Sequence, residues 1–476
     1  MQKLWSTIEE MLIHSLHLGS VNFDEKPYEH LLHTVFLCLF RESKGVRDMS
    51  TVDVNVQGDL TIGGMGTGEL VERYGTPLMV YDEGLIRGNA KLFRTAFNES
   101  GLKYQVAYAS KAFLCKEMVR LAEQENLSLD VVSGGELYTA LEAGFPADRI
   151  HFHGNNKSEE ELLMALEAEI GCFVVDSFLE LELLHDLAKE REQDVQILIR
   201  VTPGVEAHTH EYITTGQEDS KFGFSISNGQ AATAIGLAIR KPYFSLLGLH
   251  SHIGSQIFEQ EGFDQAIMVL ADFMHRIRID LDLTMPVLNI GGGFGVRYTK
   301  EDKPLPIPTY VKGITDSVKT YFAKHEYPLP EVWVEPGRSM VAEAGTTLYK
   351  VGSKKIIPDV RTYVAIDGGM TDNIRPALYQ AKYHAVLANR PNEECTELVS
   401  IAGKCCESGD MLIWDLMLPP TNYGDILAVF STGAYGYSMA SNYNRIPRPA
   451  VVFVENGGSR VVIERETYAD LVRKDR

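Results

Sequence analysis

The chain has 476 residues, 45% hydrophobic, 23% charged and 9% aromatic, with a formal net charge of −20. That length exceeds what one hydrophobic core usually supports, so two domains are expected, and the composition excludes the disordered, collagen-like and membrane classes. The acidic excess opposes a grip on phosphate backbones, which excludes non-specific nucleic-acid binding.

In chain order, residues 1–48 form a partly amphipathic extension to which the sequence assigns no role, followed directly by a second methionine, Met49. The longest early apolar run, 35–40, is far shorter than a membrane span and has no small-residue cleavage site, so no membrane association is predicted. The six cysteines (Cys38, Cys115, Cys172, Cys395, Cys405 and Cys406) contain no C-x-x-C pair and are scattered, which predicts no metal site and no disulfide scaffold. A reducing, cytoplasmic setting is the expectation. Residues 49–84 are rich in strand and turn signals, including Gly63-Gly64 and Thr76-Pro77, and are expected to join a β-domain further along.

From residue 104 onward, β-branched apolar runs alternate with longer helix-capable segments. The runs are 104–109, 128–132, 150–152, 172–175, 196–201, 245–250, 287–290 and 332–334, and eight such units predict a (β/α)8 barrel over 85–340. Ser158, three residues before Glu161, reads as a helix N-cap. After Val341 the pattern shifts to short strand-like runs at 363–366, 385–387, 397–401 and 451–454, broken by Gly, Pro and Asn. Residues 341–476 are therefore expected to form a C-terminal all-β domain.

The chemistry-bearing residues fall at the ends of these strands, where barrel enzymes place catalytic groups. Lys111 ends the first strand and can form a Schiff base with a carbonyl, although a lysine in such a pentapeptide is more often simply solvated. The run Gly291-Gly292-Gly293-Phe294-Gly295 follows the seventh strand, where barrels commonly bind phosphate through backbone N–H groups. It is a poor dinucleotide fingerprint, because Val296 stands where a third glycine belongs. Strand eight ends in Glu335-Pro336-Gly337-Arg338, and strand six in His250-Ser251-His252-Ile253-Gly254-Ser255-Gln256. An amine, a phosphate cradle and a carboxylate at one rim answer the needs of pyridoxal phosphate: a partner for its aldehyde, donors for its phosphate and an acid for its ring nitrogen.

Together with Val131-Val132-Ser133-Gly134-Gly135-Glu136-Leu137, these strings in this order resemble the alanine-racemase-like, barrel-type pyridoxal-phosphate decarboxylases, from about residue 60 to near the C-terminus. The resemblance implies that Lys111 holds the cofactor and that His252 stacks on its ring. It implies too that Ser255, Gly292 and Gly293 bind its phosphate, that Glu335 faces the ring nitrogen, and that Arg338, beside Pro336 and Gly337, serves phosphate or substrate.

Within that group, Arg375-Pro376-Ala377-Leu378-Tyr379, Cys406-Glu407-Ser408-Gly409-Asp410, Gly433-Ala434-Tyr435-Gly436-Tyr437-Ser438 and the insertion at 209–223 look like the diaminopimelate decarboxylase family. That likeness implies Arg338, Arg375 and Tyr379 around a distal carboxylate, Glu407 at a distal ammonium, and Tyr435 near cofactor phosphate and substrate. It also implies Cys406 as proton donor and a homodimer in which the 406–407 segment enters the partner's site. The implied reaction turns meso-2,6-diaminopimelate into L-lysine and CO2, the last step of lysine biosynthesis. A substrate with both charges at its far end needs a guanidinium as well as an acid, whereas ornithine or lysine needs only the acid. Decarboxylases of arginine, ornithine or a D-amino acid, and a non-catalytic cofactor-binding homologue, are the competing readings.

Overall fold

A computed structural model of the chain describes residues 53–205 and 220–476. The extension at 1–48 and most of the insertion at 209–223 lie outside the described residues.

The first long strand, β1 (Leu78–Asp82), belongs to a second sheet and is followed by helix α1 (Glu83–Ser100), capped by the Asp82 carboxylate, which accepts from the Leu85 N–H. Then come eight parallel strands: β2 (Tyr104–Ala109), β3 (Ser128–Val131), β4 (Ile150–Phe152), β5 (Cys172–Val175), β6 (Val195–Thr202), β7 (Phe244–His250), β8 (Val287–Asn289) and β9 (Glu331–Val334). Each pairs with the next, and β9 returns to β2 with Val332 opposite Tyr104, so the sheet closes into the predicted barrel. Seven helices follow successive strands: α2 (Lys116–Gln124), α3 (Gly134–Glu142), α4 (Glu159–Glu167), α5 (Phe178–Glu190), α6 (Gln230–Ala238), α7 (Glu261–Leu281) and α8 (Ile307–Lys324). After β9 comes only the short turn of helix Arg338–Val341.

Three consecutive helices start the same way. Ser133, Ser158 and Ser177 each accept a hydrogen bond from the backbone N–H of the glutamate three residues on, and at Ser158 the Glu161 carboxylate reciprocates. Satisfying these otherwise orphaned donors ends each strand-to-helix loop at a fixed residue, which fixes where the strand end above it points.

The second sheet comprises β10 (Gly345–Ile357), β11 (Arg361–Ile366), β12 (Ala385–Leu387), β13 (Glu397–Ala402), β14 (Met411–Leu418), β15 (Ile426–Phe430), β16 (Ala450–Glu455) and β17 (Gly458–Ile463), with β1 inserted between β10 and β16. Strand β1 runs antiparallel to β10 and parallel to β16. Its side chains alternate between two cores: Met79 and Tyr81 join the main core with the barrel residues, while Leu78 and Val80 pack with Leu348, Val452 and Val454. Alternation between two buried faces explains why this strand is apolar at every position but its last.

Two features differ from the sequence reading. The 13-residue strand β10 went unrecognised, because Gly352, Lys354 and Lys355 interrupt its apolar run. Its register shifts between Val351 and Lys354, where it leaves β1 and β15 and continues alongside β11, and that bend exposes its second half. The segment before β1 also contains a helix, Thr67–Tyr74, which buries Leu70. No disulfide forms among the described residues, and none of their helices is long and apolar enough to cross a membrane.

Candidate active site

The C-terminal ends of the barrel strands open into a cavity of about 1100 Å³, lined among others by Lys111, His252, Ser255, Gly292, Gly293, Glu335, Gly337, Arg338, Arg375, Tyr379 and Tyr435. Most of the residues singled out in the sequence therefore share one space, with contributions from the barrel's strand ends and from loops between strands of the second sheet.

Lys111 sits in the turn Ser110–Ala112 that ends β2, with its side chain exposed to the cavity. Both flanks of this turn are pinned. The Ala109 N–H donates to the Pro336 carbonyl (3.3 Å), and the Ala112 carbonyl accepts from the Tyr435 N–H (2.8 Å) and the Ser438 hydroxyl (3.1 Å). Pro336 contributes through this backbone contact and is not among the cavity-lining residues. Tyr435 has φ of +60°, a left-handed conformation uncommon for a large side chain, and its ring lies 4.8 Å from the Arg338 guanidinium carbon.

The glycine loop is tight against its surroundings. A Cβ on Gly292 would stand 2.3 Å from the Glu335 carbonyl oxygen, so only glycine brings this backbone so close to the end of β9. The Gly292 N–H donates to His252 Nδ1 at 3.2 Å. Burial, reinforced by Lys111 and Arg200, holds the His252 pKa well below its ordinary value, so the imidazole is neutral. Arg338 donates to the Ser255 hydroxyl at 2.9 Å and to the Tyr298 hydroxyl at 2.5 Å. Arg375 donates to the Tyr383 hydroxyl at 2.5 Å and lies over the Tyr298 ring. Arg338 and Arg375 are only 8% and 7% exposed, yet neither has a carboxylate within 4.0 Å among the described residues.

The same cavity holds a group of buried acids and histidines of which the sequence reading gave a role only to Glu335. Glu335 accepts from Asn289 at 2.5 Å, lies 3.1 Å from His250 Nε2 through its second oxygen, and 3.2 Å from His153 Nε2. His153 Nε2 is in turn 2.5 Å from Asp130. Burial pulls the Glu335 pKa upward, but His153 and His250 outweigh it and hold the carboxyl well below its usual range. Burial lowers the His153 pKa, and Asp130 and Glu335 together overcome this and raise it to about 9. His250, by contrast, is pushed down to about 4, chiefly by burial.

Cys406 and Glu407 do not line this cavity. They lie exposed on the loop between β13 and β14, where the Cys406 N–H donates to the Asn444 side-chain carbonyl and Glu407 accepts from the Gly409 N–H. The neighbouring Cys405 is buried, and burial followed by the charge of Asp410 pushes its thiol up to about 11.

Residues 83–342 match the pyridoxal-binding domain of the pyridoxal-dependent decarboxylases. The diaminopimelate decarboxylase of Bacillus subtilis (strain 168) is 61% identical over 421 residues, covering 88% of this chain and 96% of that protein. The chain belongs to the diaminopimelate decarboxylase family. Another member, from Staphylococcus aureus (strain COL), is 50% identical over 89% of this chain and 99% of its own length. The crystal structure of the family member from M. jannaschii in complex with L-lysine superposes with a TM-score of 0.84 at 39% identity, covering 90% of this chain and 98% of that one.

Proposed function

We propose that this protein binds pyridoxal 5′-phosphate in the barrel cavity and decarboxylates meso-2,6-diaminopimelate to L-lysine and CO2, working as a homodimer in the cytoplasm. The observation that carries the reading is the buried pair Arg338 and Arg375, with no carboxylate beside them among the described residues. A buried cation left unpaired is costly, so a pocket holding two of them is suited to anions, here a cofactor phosphate and a substrate carboxylate.

The residues present fit the cofactor at each of its functional groups. Lys111 offers the amine for the aldehyde, and Ser255, Gly292, Gly293, Arg338 and Tyr435 surround the position for a phosphate. Glu335, held ionised, serves the ring nitrogen, and neutral His252 supplies a flat face. When bound, pyridoxal phosphate supplies an electron sink for the pair released as the carboxylate leaves.

The chain's own residues then divide the remaining work. Arg375 and Tyr379 hold the distal carboxylate, which fixes the substrate's length and orientation, and the aromatic walls of Tyr298 and Tyr435, the first braced edge-on by Tyr383, limit water around it. The Cys406 thiol delivers the proton that replaces the lost carboxylate at the α-carbon, and Glu407 pairs with the distal ammonium. Both stand outside the cavity of their own chain, which supports the reading implied by the family resemblance, that each enters the site of the second subunit.

The test is to incubate purified protein with meso-diaminopimelate, L-lysine, L-ornithine and L-arginine and to detect CO2 and the amine product. Release from diaminopimelate alone, with lysine appearing, is expected. Release from ornithine, lysine or arginine in preference would overturn the substrate reading.

A further inference from the structure

His153 directly follows β4, whose Ile150 and Phe152 belong to the main hydrophobic core. It lies at the centre of a buried cluster drawn from four strand ends: Asp130 on β3, His250 on β7, Asn289 on β8 and Glu335 after β9. The two acids are each less than one-tenth exposed. With one His153 nitrogen 2.5 Å from Asp130 and 3.2 Å from Glu335, the carboxylates are close neighbours across it. Two buried carboxylates so placed cannot both stay ionised without a cation between them. His250 meets the other Glu335 oxygen and stands 4.9 Å from His153, ring centre to ring centre, with the planes at 72°. Being neutral, it donates a hydrogen bond to Glu335 without adding charge. Lys111 and Arg200 are the other cations lining this end of the cavity, and Arg200 already pairs with Asp176 at 3.6 Å.

We propose that His153 is a positioning residue for the cofactor's ring nitrogen: as an imidazolium wedged between Asp130 and Glu335 it keeps Glu335 an anion, and only the anion can hold a protonated pyridine. The inference rests on the reading that the cavity binds pyridoxal phosphate. His153 need not touch the cofactor. Its effect is relayed through Glu335, which without it would share a dry pocket with a second acid and take up a proton itself. A protonated Glu335 and an unprotonated ring would weaken the electron sink on which the decarboxylation depends.

The experiment compares two ligands that differ at one atom. Full-length protein stripped of cofactor is titrated with pyridoxal phosphate and with its 1-deaza analogue, in which the ring nitrogen is a CH, and dissociation constants are read by equilibrium dialysis and ring absorbance. Wild type should favour pyridoxal phosphate, because the analogue leaves the Glu335 anion buried without a partner. His153→Gln should shrink that preference by about tenfold or more, the equivalent of one pKa unit at Glu335. Adding Asp130→Asn removes the second acid and should restore most of the preference. Asp130→Asn alone should keep or widen it, which provides a reading even where His153→Gln folds poorly. Equal weakening of both ligands by His153→Gln, or a double variant worse than the single, would show that His153 merely fills space and would overturn the proposal. Wild type that binds neither ligand would instead sink the cofactor reading itself.

Discussion

Arg375→Ala tests the substrate assignment most directly. In the structure Arg375 is 7% exposed and its guanidinium is bonded to the Tyr383 hydroxyl and stacked over Tyr298, so its orientation is already settled before substrate arrives. Burial pulls its pKa down, but the Tyr298 and Tyr383 hydroxyls outweigh this and keep it raised, so it is a cation at any working pH. Truncating one partner of such a desolvated, hydrogen-bonded charge pair costs roughly 2–5 kcal/mol. The cavity of about 1100 Å³ gives water a route to a stranded carboxylate, which places the expected loss in the lower half of that range. A loss of about 2–3 kcal/mol is a fall of about 30- to 150-fold in kcat/KM for meso-diaminopimelate. Arg375→Lys should recover only part of it, since an ammonium cannot reproduce the planar two-point hold. The assay is steady-state CO2 release on meso-diaminopimelate and on L-lysine, whose far end bears an amine alone, with cofactor occupancy checked by absorbance. If both efficiencies fall by the same factor, Arg375 supports the fold or the cofactor and the argument for a distal carboxylate fails.

Borohydride treatment of the cofactor-loaded protein should fix the label on a peptide containing Lys111, and a labelled peptide containing any other lysine would refute that assignment. Lys111→Ala and Glu407→Ala proteins, each nearly inactive alone, should regain partial activity when mixed and allowed to exchange subunits, because a mixed dimer contains one site free of both lesions. Gly292→Ala forces a Cβ to within 2.3 Å of the Glu335 carbonyl oxygen, so thermal unfolding should register a loss of about 1–3 kcal/mol, with weaker cofactor retention in dialysis.

The sequence was legible where a signal repeats or clusters along the chain. Eight apolar runs with helix-capable spacers marked the barrel, and Lys111, the glycine loop and Glu335 announced themselves by standing at strand ends. Asp130, His153 and Asn289 were missed because each is a lone polar residue whose meaning appears only when β3, β4 and β8 are brought round the barrel to Glu335. A signal did exist: an ionisable or amide side chain near the last position of a strand otherwise buried at every residue, as in Ser128-Leu129-Asp130-Val131 and Val287-Leu288-Asn289. Tyr298 and Tyr383 offered no such mark, since they reach the arginines from loops of ordinary composition. The destination of Cys406 lies outside the reach of periodicity altogether, because it depends on how two chains meet.

The position of β1 between β10 and β16 also bears on how the protein is made. This strand emerges early from the ribosome, yet the chain that flanks it on either side is residues 345–357 and 450–455. At ~5–20 residues per second, β1 waits roughly 20 to 70 seconds for its second neighbour. Throughout that time four apolar side chains, Leu78, Met79, Val80 and Tyr81, have no finished sheet to enter. The Lys111 turn waits as long for Tyr435 and Ser438 to pin it. A complete cofactor site therefore exists only after residue 438 has been made, and until then the Lys111 turn has the Pro336 carbonyl on one flank and neither Tyr435 nor Ser438 on the other.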